Sequence, residues 1–300
     1  MSTILETRLS VPLAYKGKVR DTYDLQKNML LIATDRISAF DSVLPCGIPD
    51  KGLVLNQLSA FWFKKTKRIV PNHVVTVIDT VKTLEAFLPY EINNREQLIG
   101  RSMIVKKAER VTIEAVVRGY ISGSAWAEYQ KTGMISGLLQ PKGLKESQEL
   151  PQALFTPTTK ADTGHDLPLT KQALNDLIGK DLATQLEEKS LEIYQYARNY
   201  SLKQGIIIAD TKFEFGFIDG KLSLIDELLT PDSSRFWDIT SYKIGQSQPS
   251  YDKQIVRDWL TTSGWNKEPP APMLPQDIIE RTSEQYKNVY RKLVGQEITK

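Results

Sequence analysis

The stretch "IIIADTKFEFG" (206–216) concentrates groups that could do chemistry. Asp210, Lys212 and Glu214 alternate with Thr211, Phe213 and Phe215, so a strand here would set two acids and a base on one face. Charges leave water at a large cost unless they are paired or bind something. Asp219-Gly220, between alternating apolar residues, then signals a hairpin whose return strand brings Asp226. A two-residue loop would set Lys212 opposite Glu227 and Phe213 opposite Asp226. A three-residue loop, Ile218-Asp219-Gly220, would set Lys212 opposite Asp226, because each one-residue slip swaps faces. The three-residue loop is expected here, since it gathers Asp210, Lys212, Glu214 and Asp226 on one face. Two carboxylates completed by water and phosphate oxygens suit Mg²⁺. The pattern alone describes a salt-bridged sheet face better than a metal site.

Basic residues supply the complement. In "YKGKVRD" (15–21), Lys18 and Arg20 alternate after Gly17, a residue that lets backbone approach a phosphate closely. The chain has neither G-x-x-x-x-G-K-S/T nor G-x-G-x-x-G, so Walker and Rossmann readings have no support. "VVRGYISGSAWAEY" (116–129) sets Arg118 at a strand end before small residues that open a helix, a ready anion site. "TPDSSRFWD" (230–238) carries Arg235, suited to bidentate phosphate or carboxylate recognition, or to pairing with Asp238. His73 reads as structural or exposed, whereas His165 lies in a polar loop with Lys160, Asp162 and Asp166.

The elements that must position these groups follow from periodicity. Residues 15–34 read as two strands around Gln26-Lys27-Asn28, and 53–65 as an amphipathic helix with Leu55, Leu58 and Trp62 on one stripe. Residues 74–80 and 101–120 add β-rich material, and 136–169 form a long Gly-, Pro-, Thr- and Ser-rich stretch. A long helix with Leu182, Leu186, Ile193, Ala197 and Tyr200 should end at Gly205. A proline-rich linker, 268–277, leads to a closing helix in which Asp277 could be the N-cap.

Bulk properties narrow the class. A net charge of +3 is compatible with an anionic small molecule but does not indicate nucleic-acid binding. A single cysteine, Cys46, excludes an intrachain disulfide and points to a reducing compartment. No leader-like segment or membrane-length apolar run is present, so the cytoplasm is the expected location.

Taken in order, "GKVRDTYDL", "IATDRISAFD", "IPDKGLVLNQLSAFWF", "VVRGYISGSAWAEY", "GLKESQELPQALFTPTTKAD", "IIIADTKFEFG" and "DELLTPDSSRFWD" resemble the SAICAR synthetase family to about residue 262. The likeness is to its longer form, of roughly 300 residues. The resemblance implies an α+β fold of ATP-grasp or kinase-like type. It would comprise a small β-rich nucleotide-binding domain (1–115), a larger α+β domain with metal and substrate sites (116–264), and a linker with a C-terminal helix (265–300). It also implies ligation of L-aspartate to the carboxylate of CAIR, an imidazole ribonucleotide. ATP would be co-substrate and Mg²⁺ the cofactor, in a monomer or small homo-oligomer. By matching motif, it implies Lys18, Arg20, Lys106, Arg110, Thr112 and Glu114 for ATP, and Glu214 and Asp226 for Mg²⁺. Arg118, Ser124, Asp210, Lys212, Arg235 and Arg257 would surround CAIR. Lys160, Asp162, His165 and Asp166 would form an acceptor-substrate loop, and "DRISAFD" (35–41) suggests an aspartate-binding segment. The rivals are a small-molecule kinase, which would not need aspartate, a nucleic-acid module and an inactive scaffold.

Overall fold

The protein is described by a computed structural model covering residues 3–88, 94–160 and 166–299. Two antiparallel sheets dominate. Strands β1 (Leu13–Lys16), β2 (Arg20–Leu25) and β3 (Asn28–Ala33) open the chain, followed by the small hairpin β4 (Arg36–Ala39) and β5 (Ser42–Gly47). Helix α1 (Lys51–Thr66) precedes β6 (Val74–Val77), α2 (Val81–Glu85) and β7 (Ser102–Lys106). The first sheet runs β1-β2-β3-β7-β6. The two expected strands of 15–34 are present, paired through a two-residue loop, Gln26-Lys27, with β1 added at the edge.

The second sheet begins with β8 (Glu109–Tyr120), only two residues past β7. Helix α3 (Gly123–Thr132), β9 (Met134–Ile135), β10 (Leu138–Leu139), β11 (Glu149–Phe155) and β12 (Thr158–Thr159) follow. Then come α4 (Lys171–Ile178), α5 (Lys180–Lys203), β13 (Ile206–Ile218), β14 (Lys221–Ile225), β15 (Ser234–Asp238), α6 (Gln254–Thr262) and α7 (Gln276–Val294). The sheet order is β11-β8-β13-β14, with β12 on β8 and β15 on β13.

One continuous core joins α1, α5, α7 and the inner face of the second sheet. Leu55, Leu58 and Trp62 of α1, Leu186, Ile193 and Ala197 of α5, and Tyr286, Val289 and Leu293 of α7 are all buried in it, as their helical spacing demands. Asp277 lies in the first turn of α7, and Pro275 occupies the N-cap position in its place.

Strand β13 is the axis of the second sheet. A bulge against β15 between Ile208 and Asp210 switches which residues face the core. Ile206 and Ile208 before it, and Phe213 and Phe215 after it, enter the main core. Ile207 and Ala209 pack on the opposite face with Tyr120 and Trp237. Without that inserted residue, Asp210, Lys212 and Glu214 would share the face of Ile206 and Ile208 and be driven into hydrocarbon.

Candidate active site

The hairpin β13–β14 departs from the expected register. Ile218 pairs with Lys221, leaving a two-residue loop in which Asp219 (φ 51°) and Gly220 (φ 72°) are both left-handed. Glu214 is therefore opposite Ile225, and simple alternation would turn Asp226 to the far face. The chain corrects this locally. Asp226 stands just past the end of β14 with φ 68°, a left-handed conformation uncommon for a non-glycine residue. Its carboxyl thereby reaches hydrogen-bonding distance of Glu214, and both line the same cleft. The grouping is as expected, but backbone strain at one residue produces it, and the three-residue loop does not exist.

The cleft, about 750 Å³, opens between the two sheets. Met29, Leu31, Val105 and Ile225 give it an apolar wall, and Lys18, Arg20, Lys106, Arg110, Glu114, Lys160, Asp166 and Lys212 supply polar groups. In the middle of the second sheet, Glu114 of β8 sits directly opposite Glu214 of β13. Like charges so placed repel. Lys212 pairs with Glu114 at 2.8 Å and Lys160 pairs with Glu214, so each acid has its own cation.

Arg20 reaches across the cleft to Asp226 at 2.5 Å and lies 3.6 Å from Glu227. The balance differs between the two acids. Burial pushes the Glu214 carboxyl up, the neighbouring Asp226 charge adds to this and Lys160 only partly offsets it, leaving it at about 7. Burial acts on Asp226 too, but Arg20 and Lys160 overcome it and hold that carboxyl below its ordinary range. Added positive charge beside the pair would favour its joint ionisation.

Beyond the cleft's end, Asp210 accepts from Arg118 at 3.0 Å and from Arg235 at 2.8 Å. Two guanidiniums on one carboxylate leave net positive charge. Ser122 accepts from Arg235 at 2.8 Å, and Ser124 lies 3.4 Å from Arg118. Arg235 does not pair with Asp238, whose carboxylate is held by Lys292, Tyr251 and Thr240. Gly123 (φ +56°) fits against the Arg235 guanidinium so closely that a Cβ would stand 2.5 Å from a guanidinium nitrogen. Arg257 pairs with Asp252 at 3.2 Å and, like Thr112, lies outside the lining of the cleft. Asp162 and His165 are outside the described residues.

Sequence reasoning missed two supports and left the place of a third residue open. Arg36, buried, donates to the carbonyls of Gly17 (2.9 Å) and Lys18 (3.2 Å) and to Asp21 (2.7 Å), fixing the loop that carries Lys18 and Arg20. Asp35 accepts from Arg101 and from the backbone N–H groups of Ile4 and Gly52, so it and Arg36 belong to the scaffold, while Ser38 and Asp41 of the same segment line the cleft. Asp232 is held by Lys51 (2.8 Å), Lys253 (3.3 Å) and Tyr286 (2.6 Å), tying α1, α6 and α7 to the cleft wall. The third residue, His73, expected to be structural or exposed, is buried and lines the cleft, and burial lowers its ring pKa to about 4. Only the "PDSSR" motif hinted at Asp232; nothing local marked the others.

The sequence profile of the SAICAR synthetase family matches residues 13–272. The chain belongs to the SAICAR synthetase family. A phosphoribosylaminoimidazole-succinocarboxamide synthase of Thermodesulfovibrio yellowstonii is 53% identical over 295 residues, covering 98% of this chain and 99% of that protein. A structure described as SAICAR-synthase from Saccharomyces cerevisiae complexed with SAICAR superposes with a TM-score of 0.91 at 44% identity, covering 99% of this chain and 100% of the other. A more distant SAICAR synthetase in complex with ADP shares the fold, with a TM-score of 0.68 at 24% identity, covering 95% of this chain and 99% of the other. The α+β, ATP-grasp-like architecture is therefore that of the family. The activity is the ATP-dependent ligation of L-aspartate to the carboxylate of CAIR, giving SAICAR, ADP and phosphate. Among the described residues no helix is long and apolar enough to cross a membrane.

Proposed function

We propose that the cleft between the sheets holds ATP and that the Arg118–Asp210–Arg235 cluster receives the phosphate of CAIR, with the reacting carboxylate between them near Lys212. The observation that carries this reading is the convergence of Glu214 and Asp226 in an apolar-walled cleft, on the strand that also carries Asp210 with its two arginines. The adenine would lie against Met29, Leu31 and Val105, with Arg110 and the backbone near Thr112 passing it and Glu114 toward the ribose. Lys18 and Arg20 would flank the phosphates, with Lys106 nearby. Ser124 and Arg257 would complete the CAIR side, and the loop bearing Lys160, Asp162, His165 and Asp166 would meet the acceptor substrates. In this reading residues 1–115 serve the nucleotide, 116–264 the chemistry, and 265–300 brace both. The enzyme would work in the cytoplasm as a monomer or small homo-oligomer.

Mg²⁺ fits the acids on the chemistry of the donors. Glu214 and Asp226 present hard oxygens close enough to hydrogen-bond, and with the Glu214 carboxyl raised to about 7 by burial and the Asp226 charge, added positive charge would favour its ionised form. Among the described residues no three His, Cys, Asp or Glu side chains converge for a metal, so phosphate and water oxygens would complete the ligand set. Bound there, the ion would neutralise charge on the transferring phosphoryl group. A free carboxylate is a poor acyl donor because oxide is a poor leaving group. The γ-phosphoryl group would pass to the CAIR carboxylate, releasing ADP and forming an acyl phosphate. The aspartate amine would then attack the acyl carbon, forming the C–N bond, losing a proton and expelling phosphate. Lys18, Arg20 and Lys212 would stabilise the negative charge that develops. Positioning the reactants supplies much of the remainder.

ADP release measured with CAIR, with and without L-aspartate, tests the sequence of steps. Turnover should depend on aspartate, and rapid quenching should trap one acyl phosphate per site when aspartate is withheld. Full-rate turnover without aspartate would replace the ligase reading with a kinase.

A further inference from the structure

The segment Pro71–Val74 is stitched to both sheets. The His73 N–H donates to the Leu224 carbonyl of β14 at 3.0 Å, and the His73 carbonyl accepts from the Lys106 N–H of β7 at 2.8 Å. Leu224 N–H in turn donates to the Pro71 carbonyl at 2.9 Å. His73 thus joins the first sheet to the strand that leads into Asp226. His73 is 3% exposed, its ring leans on Phe63 with centroids 5.2 Å apart, and the ring stands close to the backbone of Asp226. Its Nε2 is buried without a partner among the described residues, although the ring lines the cleft. A histidine kept only to fill space would be replaced at lower cost by an apolar ring, because an unmatched buried polar atom is unfavourable.

We propose that His73 is a positioning residue for the acid pair, its imidazole bracing the left-handed turn that aims Asp226 at Glu214. The backbone at Asp226 (φ 68°) would relax without an anchor. Glu214, inside the continuous β13, needs no such support. The Asp226 carboxylate therefore depends on a residue of the first sheet's edge, and the two sheets must keep their spacing for the acids to meet.

The inference rests on the reading of Glu214 and Asp226 as the cation's ligands. Mn²⁺ binding in the presence of ADP, followed by electron paramagnetic resonance, tests both on the full chain. His73→Phe should keep the thermal midpoint and weaken Mn²⁺ binding about tenfold beyond any change in metal-free ADP affinity. His73→Gln, which retains an N–H donor, should recover most of that loss. In the unsubstituted protein, the ¹⁵N signals of His73 should shift with Mg²⁺ plus ADP and not with ADP alone. Unchanged Mn²⁺ affinity in His73→Phe would overturn the proposal. If that variant does not fold, unmoved ¹⁵N signals would overturn it instead. Glu214→Gln separates the two failures: unchanged Mn²⁺ affinity there refutes the metal reading itself. Weakening by Glu214→Gln but not by His73→Phe refutes the role of His73 alone.

Discussion

Two buried acidic centres face the same cleft and are built on opposite terms. Asp232 is surrounded by complementary groups, with Lys51 and Lys253 on its oxygens and a Tyr286 hydroxyl besides. Burial opposes its charge, but the two lysines prevail and hold its carboxyl well below the ordinary range. At the other centre, Glu214 and Asp226 face each other, and the pair's two cations, Lys160 and Arg20, leave Glu214 near neutrality at about 7. The same residue types make a closed knot in one place and an unfinished site in the other. The difference is whether positive charge comes wholly from the chain or is left for a ligand to complete.

The largest effect expected is at the knot. Asp232→Ala leaves Lys51 buried and unpaired and should cost about 3–5 kcal/mol in urea unfolding. A loss under ~1 kcal/mol would erase the contrast between the centres. Glu214→Gln should instead lower kcat by about 10²–10³ at saturating Mg²⁺. Its metal-free thermal midpoint at pH 8 should not fall, since the substitution removes a charge the site disfavours. Full turnover would show that the acids do not hold the ion. Arg235→Ala should cost about 1.5–3 kcal/mol of CAIR binding, read as a raised KM, with little change in ATP affinity.

A pH series sharpens the contrast. Because the Glu214 carboxyl is raised, its stabilising contribution is complete below the ordinary 4.5 and is lost as pH rises through about 7. Asp232 is depressed, so its contribution is present above 3.8 and lost as pH falls below that value. A cation held by Glu214 would have to displace its proton, so on the proposed reading apparent Mg²⁺ affinity should fall about tenfold per pH unit below about 7 and level off above it. A flat affinity between pH 5 and 7 would remove Glu214 from the ligand set. The smallest effect is expected for Tyr286→Phe, about 1 kcal/mol of stability, since the two lysines remain on Asp232.

The helices were legible because their apolar spacing has one solution: Leu55, Leu58 and Trp62, or Tyr286, Val289 and Leu293, can be buried together only on a helix. The alternation in "IIIADTKFEFG" likewise announced a strand with a charged face. The same rule failed at its two irregularities. The bulge after Ile208 and the left-handed Asp226 each change facing without a mark in the periodicity, and together they decide where the charges point.

The sequence by itself determined the family, the reaction class, and the acids and bases available to it, because motif order and residue type survive without coordinates. It could not assign partners. Glu114 meets Glu214 across strands 100 positions apart, Arg20 meets Asp226 across 206, and Tyr286 reaches Asp232 from the last helix. Arg36 and Asp232 gain their roles the same way, through contacts between distant segments. Facing, burial and pairing are properties of the packed chain, set where the two sheets and the C-terminal helix exclude water together. Tertiary structure alone decided which charges were closely paired within the chain and which line the open cleft.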